Sequence, residues 1–144
     1  MMVRDACLAD AAKIAHLLGQ LGYPSTAQCV ERKLLYQLGR TDAFLLVATE
    51  DTGSVIGFVS GHFIPQIALE GDFCRISYFC VDQHSRSLGV GRLLEESVSA
   101  IANRQNCDRI EVHCHARREL AHRFYFKQGY IESPKYLLKK VSAS

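Results

Sequence analysis

The sequence lacks most of the features that mark a chain for a special environment. No stretch approaches the ~18 apolar residues of a membrane span, and the opening residues MMVRDACLAD hold no long apolar signal core. The formal net charge is only +2, which gives no reason to invoke nucleic acid or an acidic membrane as a partner. Six cysteines (Cys7, Cys29, Cys74, Cys80, Cys107 and Cys114) contain no CxxC pair, and several lie in apolar strand-like runs. Buried thiols in a reducing cytosol are therefore expected, rather than disulfides or a metal site. The absences together lead us to expect a cytoplasmic protein. There is also no linker, repeat or low-complexity segment, so residues 1–144 read as one domain, large enough to bury a core unaided.

What is present is the hydropathy pattern of a mixed α/β (α+β) fold. After a short strand around Val3, residues Ile14, Leu17, Leu18 and Leu21 make the stripe of an amphipathic helix that Gly22 and Pro24 end. Ser25 with Gln28 has the form of a capping box, and Val30, Leu34 and Leu38 share one face of the helix it opens. AFLLVATE (43–50) and SVIGFVSGHFI (54–64) are β-rich runs joined by Asp51-Thr52-Gly53, which favours an antiparallel hairpin. FCRISYFCV (73–81), almost continuously apolar in its second half, is predicted to be a central strand. A helix follows from about Gly91 to Asn103, and RIEVHCH (109–115) alternates like a strand exposed on one side. The last helix, from about Arg118 to Gln128, stops at Gly129, and KYLLKKV beyond Pro134 reads as a closing strand. The order β-α-α-β-β-β-α-β-α-β implies a mixed sheet with helices on both faces.

RSLGVG (86–91) joins the strand 73–81 to the following helix. A strand, a glycine turn and a helix present unpaired backbone N–H groups at the positive end of a helix dipole, which suits a phosphate. Gly89 and Gly91 leave room for an anion that a Cβ would hold away, and Arg86 and Arg92 flank the turn. A Walker A loop is excluded because no Lys-Ser or Lys-Thr pair is present. A dinucleotide fingerprint is excluded because its third glycine would fall on Leu94.

The remaining pattern is [R/Q]xxGx[G/A], and here the sequence resembles the GNAT acyltransferase superfamily. VDQHSRSLGVGRLLEESV is similar to that family's acetyl-CoA motif, and AHRFYFKQGYIE to its second signature, A..FY.K.GF. The strand RIEVHC separates the two, as in the family. The resemblance implies the GNAT fold, a mixed and mostly antiparallel sheet of about seven strands flanked by about four helices. It implies acetyl-CoA as cofactor, with its pyrophosphate on the backbone of Ser87, Leu88, Gly89, Val90, Gly91 and Arg92 and Arg86 at the edge. Phe79, Cys80 and Val81 would pair with the pantetheine arm like an added strand, and His122 and Lys127 are further candidates for contact. Ser87 stands where many members have glycine, and Ala116 where relatives often have asparagine.

By the same resemblance the activity is direct acetyl transfer from acetyl-CoA to an amine through a ternary complex. Such a transfer needs a neutral nucleophile, a stabilised oxyanion and a proton for the departing thiolate. A backbone N–H near Phe79 to Val81 is the expected oxyanion donor, and Tyr125, which matches the FY tyrosine, is the expected general acid. The base stays open: where many relatives carry a strand glutamate this chain has Arg75 and Ser77, and Glu70, Asp72, Glu111, His113 and His115 are candidates. That departure sustains an alternative, a catalytically weak or inactive acyl-CoA-binding sensor or interaction module. The acceptor, a small-molecule or peptide amine, would meet residues of about 19–40 and 62–72, among them Tyr23, Gln28, Tyr36, His62 and Gln66. A homodimer through the C-terminal strands is a further expectation. His113-Cys114-His115 is not read as a metal site, because alternate strand residues cannot all face one ion.

Overall fold

The computed structural model describes residues 1–114, 118–133 and 136–142. The chain divides into two compact units, Met1–Val112 and His113–Ser144. The first contains β1 (Met2–Asp5), α1 (Ala11–Leu21), α2 (Ala27–Gln37), β2 (Ala43–Thr49), β3 (Val55–Ile64), β4 (Phe73–Val81), α3 (Val90–Arg104) and β5 (Arg109–Val112). Its strands form one sheet in sequence order, antiparallel from β1 to β4 and parallel between β4 and β5. The parallel pair is the one joined through a helix, α3, as a crossover requires.

Hydrophobic periodicity placed the helices because each buries one stripe. Ile14 and Leu17 of α1 pack with Val30 and Leu34 of α2 against Val47, Phe58 and Cys80 on one side of the sheet. Val90, Leu94 and Val98 of α3 cover the other side, against Leu46, Val59, Cys74 and Ile76. Gly22, at φ 100°, closes α1 as expected. The cap of α2 is one residue later than Ser25: the Thr26 hydroxyl accepts the Cys29 N–H at 3.1 Å. The expected hairpin is present, with Gly53 at φ 88° donating its N–H to the Glu50 carbonyl at 2.8 Å.

A bulge divides β4. Ser60 of β3 faces Tyr78 while Gly61 faces Ile76, so Ser77 is an extra residue on β4. Before it, Cys74 and Ile76 point to the α3 side; after it, Phe79 and Val81 do, and Cys80 turns to α1. Gly61 sits opposite this distortion, and a Cβ there would run into the Arg75 carbonyl and the Phe44 ring. The ladder with β5 ends at Ile76 and Val112, whereas β4 continues to Val81.

The second unit contains α4 (Glu119–Lys127), one residue shorter at each end than the sequence suggests. Gly129, at φ 96°, donates its N–H to the Phe126 carbonyl at 3.0 Å and closes the helix. The sheet has five strands among the described residues, not about seven. KYLLKKV accounts for part of the difference. Residues 136–140 form no ladder, and Leu137 and Leu138 are exposed, so strand propensity there is not matched by burial or pairing. The strand read at 109–115 ends at Val112; His115, Ala116 and Pro134 lie outside the described residues.

Candidate active site

The loop between β4 and α3 has the geometry of an anion cradle. Ser87 (φ 72°) and Gly89 (φ 84°) are both left-handed, and Arg86, Ser87, Leu88 and Gly89 are all exposed. Alternation of such residues turns successive N–H groups toward one side. Gly89 caps α3, and the Leu93 N–H closes the first turn on its carbonyl at 3.0 Å, so the N–H groups of Val90, Gly91 and Arg92 begin the helix. The Val90 side chain is buried, which seats this end of α3, while the Arg92 guanidinium is exposed and pairs with Glu96 at 2.9 Å. Gly57 lets α3 come this close: a Cβ there would lie 3.1 Å from both Val90 Cγ1 and the Cys80 carbonyl.

The start of the loop is held from below. Asp82, only 7% exposed, accepts the His84 N–H with its carboxylate at 2.9 Å. That bond, with help from Lys13 at 3.8 Å, keeps the carboxyl below its usual range. The Gln83 N–H donates to Gln20 Oε1 at 3.0 Å. Beyond these anchors, the exposed glycine turn, the first N–H groups of α3 and the flanking arginines suit an anionic group such as a phosphate.

The candidate bases are scattered. Glu70 and Asp72 line, with Gly71, Gln105 and Asn106, an open cavity of about 540 Å³ before the start of β4. The loop follows the other end of that nine-residue strand, on the order of 25 Å away at the usual rise. Glu111 is directly across the ladder from Arg75 and accepts from its Nε at 2.9 Å and its Nη2 at 2.7 Å, so this carboxylate is committed to a guanidinium. His113 is exposed in the second unit and stacks on Tyr136 with ring centroids 4.1 Å apart.

Tyr125 of α4 is buried, and burial first, then neighbouring Cys114, raises its phenol above the ordinary range. At neutral pH it holds its proton, as a general acid must. Phe124 meets its ring edge-on at 5.3 Å. His122, one turn earlier, is partly buried and lies 6.3 Å from the Phe126 ring, while Lys127 is exposed in the last turn.

A family model described as the acetyltransferase (GNAT) family matches residues 13–130. The chain belongs to that family. No curated protein matches the sequence. Solved structures share its fold at low identity. A transcriptional regulator from Bacillus halodurans C-125 has TM-score 0.88 at 20% identity, over 96% of this chain and 98% of that one. A glucosamine-6-phosphate N-acetyltransferase from Arabidopsis thaliana has TM-score 0.82 at 20% identity, over 97% of each chain. An aminoglycoside antibiotic 6'-N-acetyltransferase from Acinetobacter haemolyticus has TM-score 0.81 at 17% identity, over 99% and 100%.

In this GNAT chain the residues that sequence reasoning passed over are Asp82, Lys13 and Gln20. Asp82 lies inside the acetyl-CoA motif, but Lys13 beside it and the Gln20 that meets its neighbour Gln83 lie more than 60 positions away, where no local pattern points to them. Tyr23 and Tyr78, edge-to-face at 5.4 Å, form a second unforeseen pair, joining the α1–α2 turn to the bulged part of β4. Among the described residues no helix is long and apolar enough to cross a membrane.

Proposed function

We propose that the protein is a cytoplasmic acetyl-CoA-dependent N-acetyltransferase that moves the acetyl group directly to an amine in a ternary complex. The observation that carries this reading is the exposed loop of Ser87 and Gly89 ahead of α3, in a chain of the GNAT family. The match over 13–130 runs through both compact units, which supports treating 1–144 as one functional domain. The thioester supplies an activated acyl carbon and a thiolate leaving group. Backbone amides from Ser87 to Arg92 hold the pyrophosphate and Arg86 adds charge at its edge, while Phe79, Cys80 and Val81 line the pantetheine arm. His122 and Lys127 of α4 would be further contacts to the cofactor. A β4 amide would face the acyl oxygen, and Tyr125 would supply the proton that the departing thiolate takes.

Glu111 is occupied by Arg75, which leaves Glu70, Asp72 and His113 as candidate bases. Otherwise the amine enters already neutral, with water taking its proton. Acceptors named for the structural relatives are an amino sugar phosphate and aminoglycosides, so an amine-bearing small molecule is the first class to assay. Titration with CoA followed by a thiol-release assay over a panel of amines tests the reading. Absence of CoA binding would defeat it.

The alternative is an acyl-CoA sensor that binds the cofactor without turnover. Engagement of Glu111 by Arg75, in place of a free strand carboxylate, favours it. Tight CoA binding with no transfer to any amine would select it, and a homodimer would show as doubled mass in solution.

A further inference from the structure

We propose that Asp82 and Gln20 are positioning residues that clasp the cofactor loop to α1, an inference that rests on the loop's role as a coenzyme A cradle. Three residues of α1 at helical spacing meet Asp82, Cys80 and Gln83, where the chain leaves β4. Lys13 lies 3.8 Å from Asp82, the Leu17 carbonyl accepts the Cys80 thiol at 3.1 Å, and Gln20 Oε1 accepts the Gln83 N–H at 3.0 Å. Positions 13, 17 and 20 fall on one face of a helix, so α1 presents them as a single ridge.

Gln20 settles the Gln83 N–H, and Asp82, held beside Lys13, settles the backbone groups that follow. Asp82 accepts the His84 N–H with its carboxylate and the Ser85 N–H with its carbonyl, at 2.9 Å each, and its own N–H goes to the Ile56 carbonyl at 2.8 Å. His16, one turn before Gln20, meets the Gln20 amide nitrogen at 3.1 Å, which turns Oε1 toward Gln83. The chain therefore enters Arg86 to Gly89 from a fixed start, and Val90 fixes the far end by burial. Between the buried Asp82 and Val90, the residues Gln83, His84 and Arg86 to Gly89 are exposed. A ligand meeting a cradle already shaped loses less entropy on binding.

Three variants of the full chain test this: Asp82→Leu, Asp82→Asn and Gln20→Leu. CoA affinity is read by calorimetry, and exchange of the loop amides 83–92 by hydrogen–deuterium mass spectrometry without ligand. Asp82→Leu and Gln20→Leu should each weaken CoA binding by about tenfold and speed loop exchange, the scale of one lost hydrogen bond to a strong acceptor. Asp82→Asn keeps an oxygen for His84 and gives up only the charge facing partly exposed Lys13 at 3.8 Å, so it should stay within about threefold of the native protein. A rescue of that kind is not the mark of a merely space-filling residue. The inference is overturned if folded Gln20→Leu exchanges and binds like the native chain, or if Asp82→Asn is as damaging as Asp82→Leu. A native chain that fails to bind CoA defeats the acetyltransferase reading alone; loop exchange then still decides the clasp, and unchanged rates overturn it.

Discussion

Tyr130 donates its backbone N–H to the Tyr125 carbonyl at 3.0 Å while the two rings lie 5.4 Å apart, so one residue both ends α4 and walls in its tyrosine. With Gly129 in the left-handed region between them, the arrangement is a Schellman closure with its apolar contact. The proposed acid is therefore placed by the helix end rather than by a mid-helix packing contact alone.

Tyr125→Phe should leave CoA affinity within about twofold and cut turnover by roughly 100-fold or more, the usual range for losing a general acid. Calorimetry and the thiol-release assay separate the two effects. Unchanged turnover would remove Tyr125 from the chemistry.

Gly61→Ala should destabilise the fold by about 3 kcal/mol, because the new methyl meets the Arg75 carbonyl and the Phe44 ring at the bulge. Urea unfolding measures it. A loss under about 0.5 kcal/mol would mean that the bulge relaxes freely.

Ser87→Gly should raise stability by about 1 kcal/mol, since serine at φ 72° carries the left-handed penalty that glycine avoids. CoA binding should persist, because only backbone amides are invoked there. Ser87→Val should lower both.

Asp10 is buried and accepts from Arg4 Nη1 and Nη2 at 2.9 Å each, and from the Cys7 N–H at 2.9 Å. The Arg4 bonds lower its pKa, with the Cys7 amide adding to them. A carboxyl lowered by folding stabilises the protein above its unfolded pKa of about 3.9, and that stability fades as pH falls through the folded value. Asp10→Asn should cost about 1–2 kcal/mol at pH 7, allowing for the half-exposed Arg4, and should flatten the acid limb of stability below about pH 4. Urea midpoints across pH read both.

Cys74 titrates in the opposite sense, its thiol pushed up to about 12 chiefly by burial. A group raised by folding contributes fully below its unfolded pKa, about 8.5, and its contribution is lost as pH climbs toward the folded value. Native stability should therefore decline from about pH 8.5 upward, and Cys74→Ala, about 1 kcal/mol less stable at neutral pH, should decline less steeply.

The parts of the structure legible in the sequence are those that depend on neighbours along the chain. The stripe from Ile14 to Leu21, the hairpin at Gly53, the turn at Gly89 and the stop at Gly129 follow from local spacing and from the freedom of glycine at positive φ. What was not legible depends on distant partners. Glu111 reads as a solvent-facing carboxylate in its own strand, and only the parallel register with β4 sets Arg75 against it. Asp82 reads as a turn residue until α1 brings Lys13 to it and Gln20 to its neighbour Gln83. KYLLKKV has strand composition, but a strand also needs a ladder, which composition does not supply.

The extra residue in β4 gives that strand one position of slack. Deleting Ser77 would restore plain alternation after Ile76 and leave every later side chain on the face it holds now, Phe79 and Val81 toward α3 and Cys80 toward α1. Inserting a residue after Tyr78 would instead turn Cys80 toward α3 and take its sulfur from the Leu17 carbonyl. Between Ile76 and Asp82 the chain should thus tolerate the loss of one residue but not the gain of one, a constraint written in residue count rather than residue type.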